Sequence, residues 1–204
     1  MPEDDDRQLV RRLRAGDEAA FAELVDRYHQ PLRRLAMSFV RTNSAAEDVV
    51  QETWEGVVKG IERFEERSSL KTWIFRILVN RARTRGVKDA RSVPFSSLGD
   101  EASGPSVDPD AFNDDGMWRH RPAVLAEDPD HRLLAGELRE RLVAAVEVLP
   151  PRQQAVITLR DIVGLPADEV AAMLEITDGN QRLLLHRARS GVRAQLAEYV
   201  GATS

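Results

Sequence analysis

Apolar residues recur every three or four positions along most of this chain, and no segment alternates strictly between apolar and polar residues. The first spacing places side chains on one face of an α-helix, whereas strict alternation is typical of a half-buried strand. The pattern therefore predicts an all-α fold. The periodic segments are residues 18–28, 31–40, 45–64, 70–91, 133–148, 151–163, 166–174 and 180–200.

Turn-forming residues interrupt this pattern in the middle of the chain. Eight prolines and glycines lie between residues 92 and 129, too closely spaced for long regular structure. We expect two small helical domains, residues 1–91 and 132–204, joined by a long acidic linker over residues 92–131. Within that linker, Phe112 and Trp118 are unusually apolar for a spacer.

The helix predicted from Leu70 carries two different stripes of side chains. Ser69 is a suitable N-cap residue, and Gly86 lies where a C-terminal cap is expected. The first stripe is mostly apolar and is predicted to face the core; it comprises Leu70, Ile74, Ile77, Leu78 and Arg81. The second combines an aromatic ring, two guanidinium groups and an amide; it comprises Trp73, Arg76, Asn80 and Arg83.

The second stripe has the chemistry of single-stranded nucleic-acid binding. Bases stack on aromatic rings for roughly 1–3 kcal/mol each, amides read base edges, and arginines neutralise phosphates. The same residues are equally compatible with a Trp73 packed in the core beside a solvated row of arginines. The stripe taken alone leaves both interpretations open.

Charge is distributed unevenly along a chain whose formal net charge is -5. Residues 71–91 contain seven cations and one acid, whereas residues 92–131 contain nine acids and two arginines. Residues 176–195 are basic again, with four arginines and one acid. Two basic segments separated by an acidic one indicate two nucleic-acid contacts and a connector with a different role.

Composition and motifs argue against several other classes of protein. The chain has no cysteine, which excludes disulfides and thiolate metal sites. Its four histidines are scattered and no glycine-rich phosphate loop occurs, so no catalytic residue, metal or cofactor is predicted. The apolar run at residues 73–79 is short and contains Arg76, and the N-terminus is acidic. We expect a cytoplasmic protein without direct membrane insertion.

A second nucleic-acid motif is predicted near the C-terminus. A short helix begins at Leu165-Pro166, a tight turn is expected at Glu175-Ile176-Thr177, and a basic helix follows. This spacing is typical of a helix-turn-helix, whose second helix enters the major groove of DNA. A purely structural helical hairpin has the same pattern, and the motif alone does not separate the two.

Three motifs together point to one family. They are AAEDVVQETW at residues 45–54, the helix from Leu70, and LPPRQ at residues 149–153 followed by LHRAR at residues 185–189. In this order they resemble the bacterial extracytoplasmic-function (ECF) sigma factors, which are specificity subunits of RNA polymerase. The resemblance covers residues 17–91 and 137–196.

The resemblance implies roles for the first domain. Asp48, Gln51 and Glu52 would dock on a coiled coil of the β′ subunit of core polymerase. The Leu70 helix would capture the opened −10 promoter strand, with Asn80 contacting an extruded base and Trp73 supporting the pocket or the stack. The loop at residues 65–69 would wall that pocket. The phosphate contacts would be Arg76, Arg81, Arg83 and Arg85.

The resemblance also implies roles for the second domain. Its helix-turn-helix would read the −35 promoter element through Asn180, Gln181, Arg182, Arg187 and Arg189. The chain departs from the family here, because the family often has glycine at the position of Glu175 and commonly a Thr-Val pair at Asn180-Gln181.

The resemblance implies macromolecular partners and no cofactor. They are core RNA polymerase through its β′ and β subunits, promoter DNA, and an anti-sigma factor. The alternative function is a helix-turn-helix repressor or activator that binds duplex DNA as a dimer. That alternative accounts for the C-terminal motif and leaves Asp48, Gln51 and Glu52 without a role.

Overall fold

The computed structural model describes residues 2–88 and 132–202, and within these two ranges it contains helices and no strand. The predicted all-α fold is confirmed. The first range holds α1 (Pro2–Arg14), α2 (Glu18–Met37), α3 (Asn43–Gly60), a 3-10 turn (Ile61–Arg63) and α4 (Leu70–Lys88). The second holds α5 (Arg132–Glu147), α6 (Pro151–Ile157), a π-helical turn (Thr158–Ile162), α7 (Ala167–Leu174) and α8 (Asp178–Ala202).

The linker expected over residues 92–131 lies outside the described residues, and so do its Phe112 and Trp118. The division of the chain into domains at residues 91 and 132 therefore stays a prediction. Among the helices of the two described ranges, none has the length and apolar character needed to span a membrane.

The first two helices differ from the sequence prediction. Helix α2 continues through Pro31, where the sequence predicts a turn. Leu24, Leu32 and Leu35 are all buried, so one apolar face runs past the proline, and its burial outweighs the hydrogen bond that proline removes. Helix α1 is missing from the predicted helices because its first turn is acidic, although Val10 lies in the core at 1% exposure.

Asp17 joins α1 to α2. Its Oδ1 accepts a hydrogen bond from the Ala20 N–H at 3.1 Å and caps α2, while its Oδ2 accepts one from Arg12 Nε at 2.8 Å. The hydrogen bond from Arg12, followed by the backbone hydrogen bond from Ala20, lowers the pKa of Asp17. The two bonds tie the end of α1 to the start of α2.

Helix α4 packs against α2 and α3. Because neighbouring helices contact it on two sides, its buried face is wider than one stripe and includes Phe75 and Val79, which the sequence prediction missed. Arg81, predicted to lie on the core stripe, is exposed, and that prediction was wrong. The buried residues of α4 are Leu70, Thr72, Ile74, Phe75, Leu78, Val79 and Ala82.

The second range forms a helix-turn-helix at the predicted positions. Helix α7 ends at Leu174 and is capped by Glu175, whose backbone is left-handed with φ of 55°; α8 begins three residues after this cap. The run of three leucines in α8 is divided: Leu184 and Leu185 are buried in the core, and Leu183 is exposed. The π-helical turn that precedes α7 is closed by a 2.9 Å hydrogen bond from the Val163 N–H to the Thr158 carbonyl.

The two described ranges contact each other. Ser38 Oγ in the first range donates a hydrogen bond to Gln154 Oε1 in α6 at 3.0 Å, and both side chains are buried. Lys71 Nζ donates to the Gly164 carbonyl at 3.0 Å, and Thr72 Oγ1 donates to Glu169 Oε2 at 2.6 Å. Helices α4 and α7 therefore lie side by side, with polar groups of each satisfied by the other.

Candidate nucleic-acid interface

The polar stripe of α4 is accessible at its centre. Arg76 and Asn80 are exposed, four residues apart, and so lie about one turn from each other on the same face. Trp73 and Arg83, at the two ends of the stripe, are half-buried. An amide and a guanidinium group thus stand together on a helix whose opposite face is anchored in the core.

The ring of Trp73 packs against the ring of Phe64. The centroids of the two rings lie 4.9 Å apart, and their planes form an angle of 35°. A Cβ built on Gly60 would come within 3.0 Å of Trp73 Cζ2, so the absence of a side chain at this position admits the ring. The structure therefore combines both interpretations of Trp73: one part of the ring is packed, and the residue remains partly accessible beside Arg76.

A cluster of ion pairs joins two surfaces that the sequence assigned to different partners. Arg85 Nη2 lies 2.6 Å from Asp48 Oδ2, and Arg85 Nη1 lies 3.2 Å from Glu52 Oε1. Arg81 Nη1 lies 3.6 Å from Glu52 Oε2. Gln51, between the two acids in sequence, is exposed. Two of the expected phosphate contacts are thus bound to two of the expected polymerase contacts.

The sequence contains a pattern from which this cluster of ion pairs could have been predicted. Acids four residues apart on α3 and arginines four residues apart on α4 each occupy one face of their helix. Helices that follow one another in a small bundle commonly pack together, so a pairing between the two charged faces was open to prediction. Sequence patterns did not show which turn of α3 meets which turn of α4.

Another expected phosphate contact on α4, Arg83, is engaged by the second range. Arg83 Nη1 forms an ion pair with Glu175 Oε1, in the turn of the helix-turn-helix. One acid of α7, Glu169, also reaches α4 and accepts a hydrogen bond from Thr72. Sequence reasoning missed the role of Glu169, because no local pattern distinguishes it from a solvated acid.

The exposed face of α8 carries part of the set predicted for it. Arg182 is exposed, and Asn180 and Arg187 are half-buried. Thr177 Oγ1 accepts a hydrogen bond from the Asn180 N–H at 3.2 Å and caps the helix. A cationic side chain and an amide therefore lie close to the N-terminal end of the helix that follows the turn.

Two other residues of that set lie inside the protein. Gln181 is 1% exposed. Arg189 is 6% exposed and binds Asp161 in a bidentate arrangement, with Nε at 2.8 Å from Oδ2 and Nη2 at 2.7 Å from Oδ1. The buried positions Leu184, Leu185 and Ala188 place the core face of α8 on the side of both residues. In this conformation neither Gln181 nor Arg189 is available to DNA.

The described residues offer no metal centre: no group of three or more histidine, aspartate or glutamate side chains is arranged there to hold an ion.

Two family models match the chain. The Sigma-70 region 2 model matches residues 24–92, which include α3 and α4, and the Sigma-70, region 4 model matches residues 139–190. The ECF RNA polymerase sigma-E factor of Escherichia coli strain K12 is 30% identical over 187 residues, 92% of each chain. The RNA polymerase sigma-H factor of Pseudomonas aeruginosa is 28% identical over 192 residues, 94% of each chain.

Two solved structures share the fold. The sigma factor RpoE from Bartonella quintana, in complex with the anti-sigma factor NepR, has a TM-score of 0.52 at 22% identity and covers 87% of this chain and 96% of its own. CnrH, in complex with the cytosolic domain of CnrY, has a TM-score of 0.50 at 24% identity and covers 95% of this chain and 97% of its own.

Proposed function

The chain belongs to the extracytoplasmic-function sigma factors of RNA polymerase, and from that premise we propose that α4 captures the opened −10 strand while α8 reads the −35 duplex. The resemblance predicted from three short motifs is confirmed. The protein is a promoter-specificity subunit, acting in transcription initiation. A dimeric helix-turn-helix regulator is not favoured, because it leaves the match over residues 24–92 unexplained.

The observation that carries the −10 assignment is the exposure of Arg76 and Asn80 beside a partly accessible Trp73. Unpaired bases stack on aromatic rings and arginine planes, and an amide pairs with their exposed edges. Capture of unpaired bases shifts the duplex toward its open form without a chemical step. We therefore assign base contact to Asn80 and phosphate contact to Arg76, and we expect no catalytic residue.

The −35 assignment uses a smaller set of residues than the sequence suggested. We assign base and phosphate contacts in the major groove to Asn180, Arg182 and Arg187 on α8. Gln181 and Arg189 are not assigned to this surface because both are buried. We propose instead that they pack α8 against the other helices of the second range. Each good base contact contributes roughly 1–3 kcal/mol of discrimination.

Core polymerase is proposed to dock on α3 at Asp48, Gln51 and Glu52. Each ionised carboxylate has about four acceptor positions, so a cationic partner helix of the β′ subunit adds to or replaces the existing pairs with arginine. Replacement frees Arg85 and Arg81 for phosphate. Docking on polymerase and phosphate binding by α4 are in this way coupled, because Asp48 and Glu52 hold these arginines until the polymerase helix takes their place.

The contact between the two described ranges is proposed to open when promoter DNA is bound. The −35 and −10 elements are about 25 base pairs apart, which at ~3.4 Å per base pair is ~85 Å of duplex. The ion pair between Arg83 and Glu175, by contrast, holds α4 beside the helix-turn-helix. Helices in direct contact cannot reach both elements, so the two regions separate on the promoter.

A protein that covers both DNA-binding regions is the proposed inhibitor. RpoE from Bartonella quintana is a sigma factor of the same fold in complex with an anti-sigma factor. We propose an anti-sigma partner for this chain as well, and a cytoplasmic location for the chain itself.

Reconstituted transcription tests the proposal. Core polymerase, with and without the full chain, is supplied with a library of promoter templates, and specific starts are sequenced. We expect starts at one promoter class only when the chain is present. In the Asn80→Ala variant we expect preference at one −10 base to fall by about tenfold, or about 1.4 kcal/mol, because an amide contact is lost.

Thr84→Ala is the matched control, because Thr84 is exposed on the same helix and its hydroxyl already donates to the Asn80 carbonyl at 2.9 Å. This control is expected to keep the wild-type base preference. No specific start from any template with the wild-type chain would sink the proposed function. Identical −10 preference in wild type and Asn80→Ala would reject only the role of Asn80.

A further inference from the structure

The loop between the 3-10 turn and α4 has a backbone conformation that needs support. Glu66 has a φ of 56°, in the left-handed region that residues with a side chain rarely adopt. Residues 65–67 are exposed, so neighbouring apolar groups do not hold them in place. A conformation of this kind persists only where surrounding contacts determine it.

Arg14, at the end of α1, supplies those contacts. Its Nε donates to the Ile61 carbonyl at 3.2 Å, and its Nη2 donates to the Phe64 carbonyl. Its Nη1 donates to Glu66 Oε1 at 3.4 Å. The guanidinium group therefore binds the 3-10 turn once and the loop twice, with three different nitrogens. Only a planar fork of donors does this; a lysine ammonium at the same place is a single point charge.

The rest of α1 reinforces the same loop. Arg7 Nε lies 3.9 Å from Glu66 Oε2, and Asp6 Oδ2 accepts a 3.4 Å hydrogen bond from the N–H of Leu70, the first residue of α4. Both ends of the loop are thus attached to α1. Helix α1 precedes both ranges that the family models match, so these residues lie outside the matched part of the chain.

The three contacts of Arg14, called here the Arg14 clamp, are connected to the proposed −10 site through Phe64. The carbonyl of Phe64 is held by Arg14, and its ring packs on Trp73 at 4.9 Å. Trp73 in turn lies two helical turns before Asn80 on the same stripe of α4. A shift of the loop therefore moves Phe64 and, through the ring contact, Trp73, which lies on the stripe that carries the proposed base-reading amide.

We propose that Arg14 is a positioning residue for −10 strand capture, which fixes the loop at residues 64–69 in the shape that receives the extruded base. The proposal rests on the function proposed above. Preorganised contacts give discrimination that loose ones do not, since a mobile wall accepts several bases equally. Arg14 itself touches no DNA in this scheme and acts through Phe64 and Glu66.

The test uses the full chain bound to core polymerase and duplex probes with an unpaired −10 segment. The four bases are placed in turn at the position where Asn80→Ala changes preference. For Arg14→Gln we expect discrimination among the four probes to fall roughly tenfold, which corresponds to about 1.4 kcal/mol of lost preorganisation. We expect its affinity for core polymerase and for a −35 duplex to stay within about twofold of wild type, since neither surface contacts the loop.

Two further variants separate positioning from simple stability. Arg11→Gln is the matched control, because Arg11 is exposed on the same helix and its Nε donates to the Arg7 carbonyl of that helix at 3.4 Å. It is expected to leave discrimination unchanged. Arg14→Gln combined with Glu66→Gly is expected to recover part of the lost discrimination, because glycine adopts positive φ without a clamp.

The outcomes are distinguishable. Wild-type discrimination in Arg14→Gln, or an equal loss of core affinity, −35 binding and base discrimination, would overturn the positioning role and leave the proposed function intact. No recovery by Glu66→Gly would assign the loss to something other than loop conformation and would also overturn it. No base preference in the wild-type complex would overturn both proposals together.

Discussion

The two helices that we assign to DNA are each preceded by a turn with a left-handed glutamate, and the two turns are held in different ways. Glu66 has a φ of 56° and lies before α4; Glu175 has a φ of 55° and lies before α8. Each is paired with an arginine, Glu66 with Arg14 and Glu175 with Arg83. Arg14 belongs to the same region as its glutamate, whereas Arg83 belongs to the other.

This difference indicates which turn keeps its contact with an arginine when promoter DNA is bound. When the two regions separate, Glu66 retains the three-point clamp from α1. Glu175 loses Arg83 and is then held only by its own helix end, where its N–H donates to the Ala172 carbonyl and the Ile176 N–H donates to the Ala171 carbonyl at 3.0 Å. Under the proposed separation, the first turn therefore keeps its arginine contacts, whereas those of the second depend on whether the two regions touch.

The arginines of the two regions also differ in how firmly they are held. On α4, Arg85 and Arg81 pair with acids at the surface, where partners exchange at small energetic cost. On α8, Arg189 is 6% exposed and is bound to Asp161 by two hydrogen bonds. An arginine count alone treats these residues as equivalent, although one group is available to a partner and the other is part of the core.

The largest effect is expected for Asp161→Ala. It removes a solvent-accessible carboxylate that binds the buried Arg189 guanidinium through two hydrogen bonds, and hydrogen bonds to charged groups contribute roughly 1.5–3 kcal/mol. Denaturant unfolding of the full chain is expected to show the second range losing stability first. Glu52→Ala, which removes a surface partner of Arg85, is the matched control, with a loss of about 1 kcal/mol or less.

The combined variant Asp161→Leu with Arg189→Met sharpens this prediction. Replacing both partners by apolar groups leaves no buried guanidinium that needs an acceptor, so most of the lost stability is expected to return. Equal stability of Asp161→Ala and wild type would show that Arg189 is not held as the structure has it, and would return Arg189 to the candidates for phosphate contact.

A smaller effect is expected for Ser38→Ala, at the contact between the two regions. The change leaves Gln154 Oε1 without its donor in the buried contact, at a cost of about 1–2 kcal/mol that is removed when the regions separate. The separated fraction is thus expected to rise by roughly tenfold. The stability of each region by itself is expected to stay the same.

Fluorescence energy transfer measures this change. The chain has no cysteine, so labels on Lys59→Cys in α3 and Glu140→Cys in α5, both exposed positions, are specific. Ser44→Ala, at an exposed serine of α3, is the control and is expected to keep the wild-type signal. An unchanged signal in Ser38→Ala would show that this hydrogen bond does not hold the regions together.

The smallest effect concerns Glu175. Glu175→Ala loses the ion pair with Arg83 and keeps the left-handed penalty, whereas Glu175→Gly loses the pair and relieves the penalty. We expect the glycine variant to be more stable than the alanine variant by about 1 kcal/mol, and its separated fraction to exceed that of wild type. Thermal unfolding measures the difference in stability between the two variants. A glycine variant less stable than the alanine variant would contradict a left-handed backbone at residue 175.

The sequence predicted most of the helices but not all of their boundaries. Periodicity located α3, α4, α7 and α8, because a helix face is encoded within a few turns. It failed at Pro31, where the local preference of proline predicts a break and burial of the face containing Leu24 and Leu32 keeps the helix intact. It also failed at α1, whose acidic first turn carries no apolar signal.

The sequence also indicated the candidate site in outline. Asn80 and Arg76 were identified from helical spacing and are exposed in the structure. Gln181 was identified from its residue type and its place in the motif, yet it lies on the core face of α8 at 1% exposure. Gln181 lies three, four and seven residues before Leu184, Leu185 and Ala188, a spacing that places it on the same buried face of the helix. The prediction instead followed its polar residue type.

The sequence by itself determined the helical fold, the order of the three motifs and the family, because these depend on residues close together in the chain. Only the tertiary structure decided which charges are paired. Arg14 meets the carbonyls of Ile61 and Phe64 from 47 and 50 residues away, and Arg83 meets Glu175 from 92 residues away. Such pairings depend on how helices pack, and no local pattern of residues specifies that packing.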